Sequence, residues 1–186
     1  MKRFVDLLGS VVAGLFLLLP MFFLAVLIRV TSKGPVLYWS DRVGYKNIIF
    51  KMPKFRTMCV DAPTIATHLL PDPESYLTPI GGFLRKSSLD ELPQLWSIFV
   101  GDMSLVGPRP ALYNQADLIA LRTEKGVHQV MPGLTGWAQV NGRDELPIPQ
   151  KVAFDVQYLE RCSMAFDLKI IWLTFVNVVF SKDVAH

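Results

Sequence analysis

The chain has 186 residues, 51% of them apolar, and 19 Lys and Arg against 16 Asp and Glu. That length holds one domain plus a membrane element. The net charge of +3 suits an anionic partner such as lipid headgroups, phosphates or nucleotides, but it is too mild to point to nucleic acid, and no basic run interleaved with aromatics appears. Two cysteines far apart, Cys59 and Cys162, argue against a disulfide framework and for a reducing, cytosolic setting. The three histidines lack metal-ligand spacing, and no glycine-rich dinucleotide or P-loop motif is present.

Residues 7–28 carry no charge. As a straight helix they would run about 33 Å, roughly the thickness of a bilayer's hydrocarbon core. The run is too long for a signal peptide, and no small-residue cleavage site follows it. Pro20 lies past its middle, where a proline removes a backbone bond and tends to kink a helix. Both flanks are positive, with Lys2 and Arg3 before and Arg29 and Lys33 after. Positive flanks favour the cytoplasmic side. Both are satisfied if the segment enters, bends at Pro20 and leaves by the same face. A single kinked span is the alternative, and the residues alone leave the two open.

Residues 34–44 read as a strand and 47–58 as a second, with Gly44 and Tyr45-Lys46-Asn47 turning between them. Residues 61–82 are rich in proline and polar at their centre, which predicts a loop with at most a helical turn. Residues 84–100 place Leu89, Leu92, Leu95, Trp96 and Phe99 at helical spacing. The prolines at 108–110 and the PGLTG stretch at 132–136 predict rigid turns. Residues 150–161 predict a helix. Residues 166–180 predict an apolar helix of about four turns, suited to the core or to a membrane interface.

Within SSLDELPQLW (87–96) two acids stand among leucines. Ser88 and Glu91 match a capping box, which would make Glu91 a structural cap. Pro93 favours a different register, with Asp90 as the N-cap, because a proline at the third helical position forfeits no bond. Asp90 would then be a carboxylate of low pKa at a helix mouth beside Arg85 and Lys86, a plausible place for a phosphate. An aspartate there can attack phosphorus, and a neighbouring glutamate can help hold Mg²⁺, which prefers carboxylates plus substrate phosphates.

Four stretches in order, KFRTM (54–58), LRKSSLDELPQLW (84–96), GDMSLVGPRP (101–110) and PGLTGWAQVNGR (132–143), resemble the bacterial sugar transferases, the monotopic phosphoglycosyl transferases. The likeness runs from the N-terminal apolar segment to the DLK at 167–169 and fits the small, core-only form. It implies transfer of a sugar-1-phosphate from a UDP-sugar to polyprenol (undecaprenyl) phosphate with release of UMP, the first membrane step of glycan assembly. It also implies a re-entrant helix at the cytosolic face of the bacterial inner membrane. Many members have Ser before the helix proline, whereas here the residue is Leu19. Carried over by position, Asp90 is the nucleophile on the β-phosphorus and Glu91 supports Mg²⁺ or proton handling, so both are the expected metal ligands. Arg56, Arg85 and Arg143 are the expected phosphate binders. Arg109 and Asp167 also match positions near the site.

The expected architecture is α+β and mainly α. Residues 1–30 form a re-entrant membrane helix broken at Pro20. Residues 31–186 form a compact cytosolic catalytic domain with a small β-hairpin and helices at the membrane interface. Two anionic substrates call for several cations, and Arg suits bidentate phosphate contacts. Trp137, Gln139, Asn141 and Arg143 alternate, so an extended strand would show them on one face. For each lone Arg the plain alternative is a solvated charge. Lys54, Lys86 and Arg122 read as interfacial charges near anionic lipid. A glycosyltransferase releasing UDP and a non-catalytic scaffold are the competing readings. The sequence is silent on the sugar and the polyprenol length, and it leaves a homo-oligomer open.

Overall fold

The computed structural model describes residues 1–62, 72, 74–142 and 146–180. The chain opens with α1 (Lys2–Thr31), a helix of 30 residues and therefore about 45 Å long. The helix touches the rest of the protein through a single stripe. Asp6, Ser10 and Ile28 on that stripe are buried, and Ala13, Leu17, Met21, Leu24 and Ala25 are partly so. Their steps of three and four residues keep them on one helical face. The other face leaves Phe4, Leu15, Phe16, Leu19 and Phe23 more than 60% exposed. By length and composition this is the one described helix able to cross a membrane.

Pro20 does not break the helix, contrary to the sequence expectation. It sits on the outward face, while Leu17, Met21 and Leu24 pack against the domain on either side of it. Packing on the inward stripe holds both halves in one helix although the Pro20 N–H is missing. Each end of α1 is tied to the same domain. Arg3 donates to the carbonyls of Ile98 and Phe99 at 2.6 and 2.8 Å, and Asp6 accepts from the Ser104 hydroxyl and the Leu105 N–H, both at 3.0 Å. At the other end Ser32 caps the helix through its N–H to the Ile28 carbonyl.

The predicted hairpin is present as β1 (Leu37–Val43) and β2 (Ile49–Phe55), antiparallel with Trp39 opposite Pro53. Lys46 and Asn47 take left-handed conformations in the 3-10 turn Tyr45–Asn47 between them. β2 is the sheet's edge, which is where a strand tolerates a proline such as Pro53. A 3-10 turn, Glu74–Tyr76, is the described structure of the predicted loop before α2 (Gly81–Lys86).

Residues 84–100 do not form one helix. α2 ends at Lys86, a 3-10 helix spans Leu89–Gln94, and α3 runs Leu95–Val100. Ser88 lies at φ 57°, ψ 17°, a left-handed residue that turns the chain between the first two. It, not Asp90, is the N-cap, and its side chain makes no capping bond. The apolar spacing predicts one helix, but the left-handed turn at Ser88 interrupts the helical path, and Trp96 and Phe99 of that set are exposed.

β3 (Ser104–Val106) follows, then β4 (Ala111–Leu112), which completes the hairpin sheet beside β1. After α4 (Ala116–Glu124), β5 (Gly133–Thr135) runs parallel to β3. Here the glycines are obligatory. A Cβ on Gly133 would fall 2.0 Å from the Gly107 nitrogen, and one on Gly136 would fall 2.1 Å from its carbonyl oxygen. The GPRP and PGLTG stretches are thus two backbones in contact, and this contact fixes the turn that carries Arg109.

α5 (Trp137–Val140) is a helical turn, so the expected strand of alternating Trp137, Gln139 and Asn141 does not exist. Those side chains serve local packing instead: Trp137 Nε1 donates to Gln157 Oε1 at 2.9 Å, and Gln139 donates to the Leu134 carbonyl at 3.0 Å. α6 (Ile148–Arg161) and α7 (Met164–Phe180) are the last described elements, helices as the sequence predicts.

Candidate active site

The 3-10 helix lays the two acids against β2, where Lys54 reaches both. Its Nζ donates to Glu91 Oε1 at 2.7 Å and stands 3.7 Å from Asp90 Oδ2. Arg109, from the proline turn after β3, forks onto the same glutamate. Its Nη2 donates to Oε1 at 2.5 Å and its Nη1 to Oε2 at 3.3 Å. Arg85, near the end of α2, donates from Nε to Thr57 Oγ1 at 3.0 Å, with its charge facing Asp90.

The neighbouring acids are therefore treated differently. Both Glu91 oxygens accept from cations. Burial alone would raise its pKa, but the charges of Arg109 and then Lys54, with their hydrogen bonds, hold it well below the usual carboxylate range. Asp90 is 7% exposed, and its carboxylate accepts no side-chain hydrogen bond among the described residues. Burial pushes its pKa up. Lys54 opposes that shift, Glu91 adds to it, and Arg109 and Arg85 oppose it more weakly. The sequence expectation of a low-pKa aspartate is corrected here, because desolvation outweighs the cations around it.

The remaining expected residues fall in three places. Arg56 is buried at the exit of α1. Its Nη2 donates to the Ser32 carbonyl at 3.1 Å and to Ser32 Oγ at 2.7 Å, and its Nη1 donates to the Lys33 carbonyl. Its guanidinium is thus engaged with backbone rather than with the acids. Asp167, at the start of α7, pairs with Lys2 Nζ at 2.5 Å and lies 2.8 Å from the Tyr158 hydroxyl, in a group apart from Asp90. Arg143 lies outside the described residues.

Two residues read as interfacial charges belong to the site or its support. Among the described residues Lys54 is the one cation that stands within 4 Å of both acids. The period of two along β2 puts it on the face opposite Pro53 and Phe55, and that alternation was the available signal. Arg122 is buried and paired with Asp155 through Nε and Nη2 at 2.9 and 2.7 Å. Its Nη1 donates to the Arg109 carbonyl at 2.7 Å, so it holds the backbone from which Arg109 reaches Glu91.

Chemically, the arrangement offers one buried carboxylate with open lone pairs and a second that gathers cations beside it. Such a site suits a nucleophile acting on an anionic centre. The family model for bacterial sugar transferases matches residues 1–181, and the chain belongs to that family. It is 41% identical to the uncharacterised sugar transferase EpsL of Bacillus subtilis over 99% of this chain and 90% of that one. It is 39% identical to the undecaprenyl-phosphate glucose phosphotransferase of Komagataeibacter xylinus over 98% of this chain, but this chain spans only 36% of that protein. It is 38% identical to the UDP-glucose:undecaprenyl-phosphate glucose-1-phosphate transferase of Escherichia coli over 83% of this chain and 36% of that one. The protein is an enzyme of the sugar-transferase class.

Proposed function

We propose that this enzyme moves a sugar-1-phosphate from a UDP-sugar to a polyprenol phosphate at the cytosolic face of the membrane, by way of a phosphosugar held on Asp90. The observation that carries the reading is the unlike treatment of Asp90 and Glu91. Glu91 accepts from both Arg109 and Lys54, while Asp90 is buried and its oxygens accept no side-chain hydrogen bond among the described residues. The names of the Komagataeibacter and Escherichia relatives supply the substrate class.

In the first step an Asp90 oxygen forms a bond to the phosphorus that bears the sugar. The bond from that phosphorus to the bridging oxygen breaks, and UMP leaves with the bridging oxygen. In the second step a phosphate oxygen of the polyprenol phosphate attacks the same phosphorus and the Asp90 oxygen departs, which restores the carboxylate. Lys54 and Arg85 face Asp90 and supply positive charge where the phosphoryl oxygens arrive. Glu91 keeps Arg109 and Lys54 oriented. Arg143 retains the phosphate-binding role that the resemblance gives it, and Arg56 holds the exit of α1 next to β2.

Asp90 and Glu91 fit Mg²⁺ as a site of one or two carboxylates completed by substrate phosphates. Asp90 has oxygens open for it, whereas Glu91 would have to release a cation first. Bound there, Mg²⁺ would neutralise phosphate charge.

Both termini of α1 belong on the cytosolic side in this reading. Lys2, Arg3 and Asp6 at one end and Ser32 and Lys33 at the other bond to the one domain that carries the site. A helix with its ends on opposite sides of a bilayer would sever one set of these bonds. The apolar outward face of α1 then enters the lipid without crossing it.

The leaving nucleotide is the test. With UDP-sugar, polyprenol phosphate and Mg²⁺, the enzyme is expected to release UMP, whereas release of UDP would mean that the sugar alone is moved and would overturn the proposal.

A further inference from the structure

A cleft of about 520 Å³ opens between α1 and the hairpin, and the described residues lining it are aliphatic, aromatic or proline. It lies within the range of about 300–1,000 Å³ usual for ligand sites. One wall is α1, through Leu18, Met21, Phe22 and Ala25. The facing wall is one face of the hairpin, where Trp39 pairs with Pro53 and Leu37 with Phe55. Pro93 and Trp96 complete the lining.

We propose that this cleft seats the isoprene units of the acceptor nearest its phosphate, so that the chain lies in the cleft and the phosphate meets Asp90. The inference rests on the reading of the enzyme as a polyprenol-phosphate transferase. Three observations lead to it. First, among the described residues the lining offers no polar group beyond the indole N–H of Trp39 and Trp96, so a nucleotide or sugar placed there would lose most of its hydrogen bonds to water without replacement. Second, the wall contributed by α1 adjoins the lipid-facing surface: Leu18 and Phe22 are 66% and 62% exposed, beside Leu19 and Phe23. A hydrocarbon chain can therefore enter from the membrane side.

Third, Pro93 of the lining stands on the short helix that carries the catalytic carboxylate. Side chains three apart in a 3-10 helix eclipse one another, so Pro93 and Asp90 share a side of the Leu89–Gln94 helix, about 6 Å apart along its axis. Lys54 leaves β2 by the face opposite Pro53, and its Nζ stands 3.7 Å from Asp90. A chain lying against Pro93 therefore ends about one 3-10 turn from the nucleophile. Trp39, Trp96, Phe22 and Phe55 line the cleft with aromatic rings. The methyl branches and double bonds of an isoprenoid give each unit more atoms to contact such rings than a straight acyl chain of equal length has.

The proposal can be tested without turnover. The full-length enzyme in phosphatidylcholine vesicles is irradiated with an isoprenyl phosphate whose third isoprene unit is replaced by a photoreactive group, and the modified peptides are mapped by mass spectrometry. Labelling is expected on peptides containing residues 18–25 and 93–96, and it should be displaced by excess undecaprenyl phosphate but not by an equal amount of dioleoyl phosphatidic acid. Ala25→Phe, which fills the cleft, should lower labelling at least tenfold. Trp96→Ala removes a wall residue that is 56% exposed, and it should weaken competition by undecaprenyl phosphate several-fold with the fold intact. Labelling confined to peptides that carry no cleft-lining residue, equal displacement by phosphatidic acid, or undiminished competition in Trp96→Ala would overturn the proposal. In parallel, acceptor KM should rise in both variants far more than any change in the rate at which UDP-sugar alone modifies the enzyme. If cleft labelling occurs and that modification never forms, the covalent route fails while the acceptor seat stands.

Discussion

Replacing Arg109 by Met tests how the acidic pair is held. The substitution keeps much of the apolar stem but removes both bonds to Glu91. Loss of one partner of a buried ion pair costs about 3–5 kcal/mol, chiefly through the charge left behind, and this pair is only partly buried, which lowers the figure. Lys54 still donates to Glu91 Oε1 at 2.7 Å, which places the expected loss at the lower end, about 3 kcal/mol. For a chain of this size that is a fall in Tm of about 6–12 °C. The assay is denaturation in detergent of wild type, Arg109→Met, Glu91→Gln and the double variant. Because the residues touch, the double variant should be about 2 kcal/mol more stable than the sum of the single losses implies. The pH dependence has a definite sign. Glu91 is held below its ordinary 4.5, so its pairing stabilises the fold above that pH and the contribution fades as pH falls below it. The gap between wild type and Arg109→Met should therefore be full at pH 7 and narrower at pH 3.5. Additive losses, or a gap independent of pH, would refute the reasoning.

Asp90→Asn should abolish turnover while leaving stability at pH 7 equal or higher. Burial disfavours the ionised Asp90, so above its ordinary 3.8 the charge works against the fold, and a neutral amide removes that strain on the balance. Lys54→Met should move the acid limb of the single-turnover pH profile to higher pH, since Lys54 is the leading group favouring ionised Asp90. An unmoved limb would exclude Asp90 as the titrating nucleophile. Arg122→Met should cost about 3–5 kcal/mol by stranding Asp155, and Arg122→Met with Asp155→Leu should recover most of it, as read by equilibrium unfolding. Cysteine labelling at residue 2 should occur only from the cytosolic side, and labelling from outside would establish a spanning helix.

Much of this arrangement was legible in the residues because it depends on local chemistry. The hairpin follows from two extended runs around Gly44 and Asn47, and α6 and α7 follow from periodicity. The errors share a cause, which is that backbone geometry was set by distant packing. Ser88 turns left-handed between α2 and the 3-10 helix, and no apolar pattern encodes that. Trp137 and Gln139 find partners on Gln157 and Leu134, which draws the stretch into a helical turn. Pro20 stays within a helix because the stripe from Asp6 to Ile28 is anchored on one domain. Lys54 and Arg122 read as surface charges, since their partners Glu91 and Asp155 lie more than thirty residues away along the chain. Asp90 itself was found from the motif, but its elevated pKa was not, because burial is a property of the fold.

The most direct test of the covalent reading is the intact mass of the enzyme after incubation with UDP-sugar and Mg²⁺ in the absence of any polyprenol phosphate. The account predicts a gain equal to one sugar phosphate on the peptide containing Asp90, release of one UMP per adduct, disappearance of the adduct when polyprenol phosphate is added, and no adduct in Asp90→Asn. Full turnover with both substrates but no adduct under any quench would contradict it and leave Asp90 as a metal ligand or base in a direct transfer.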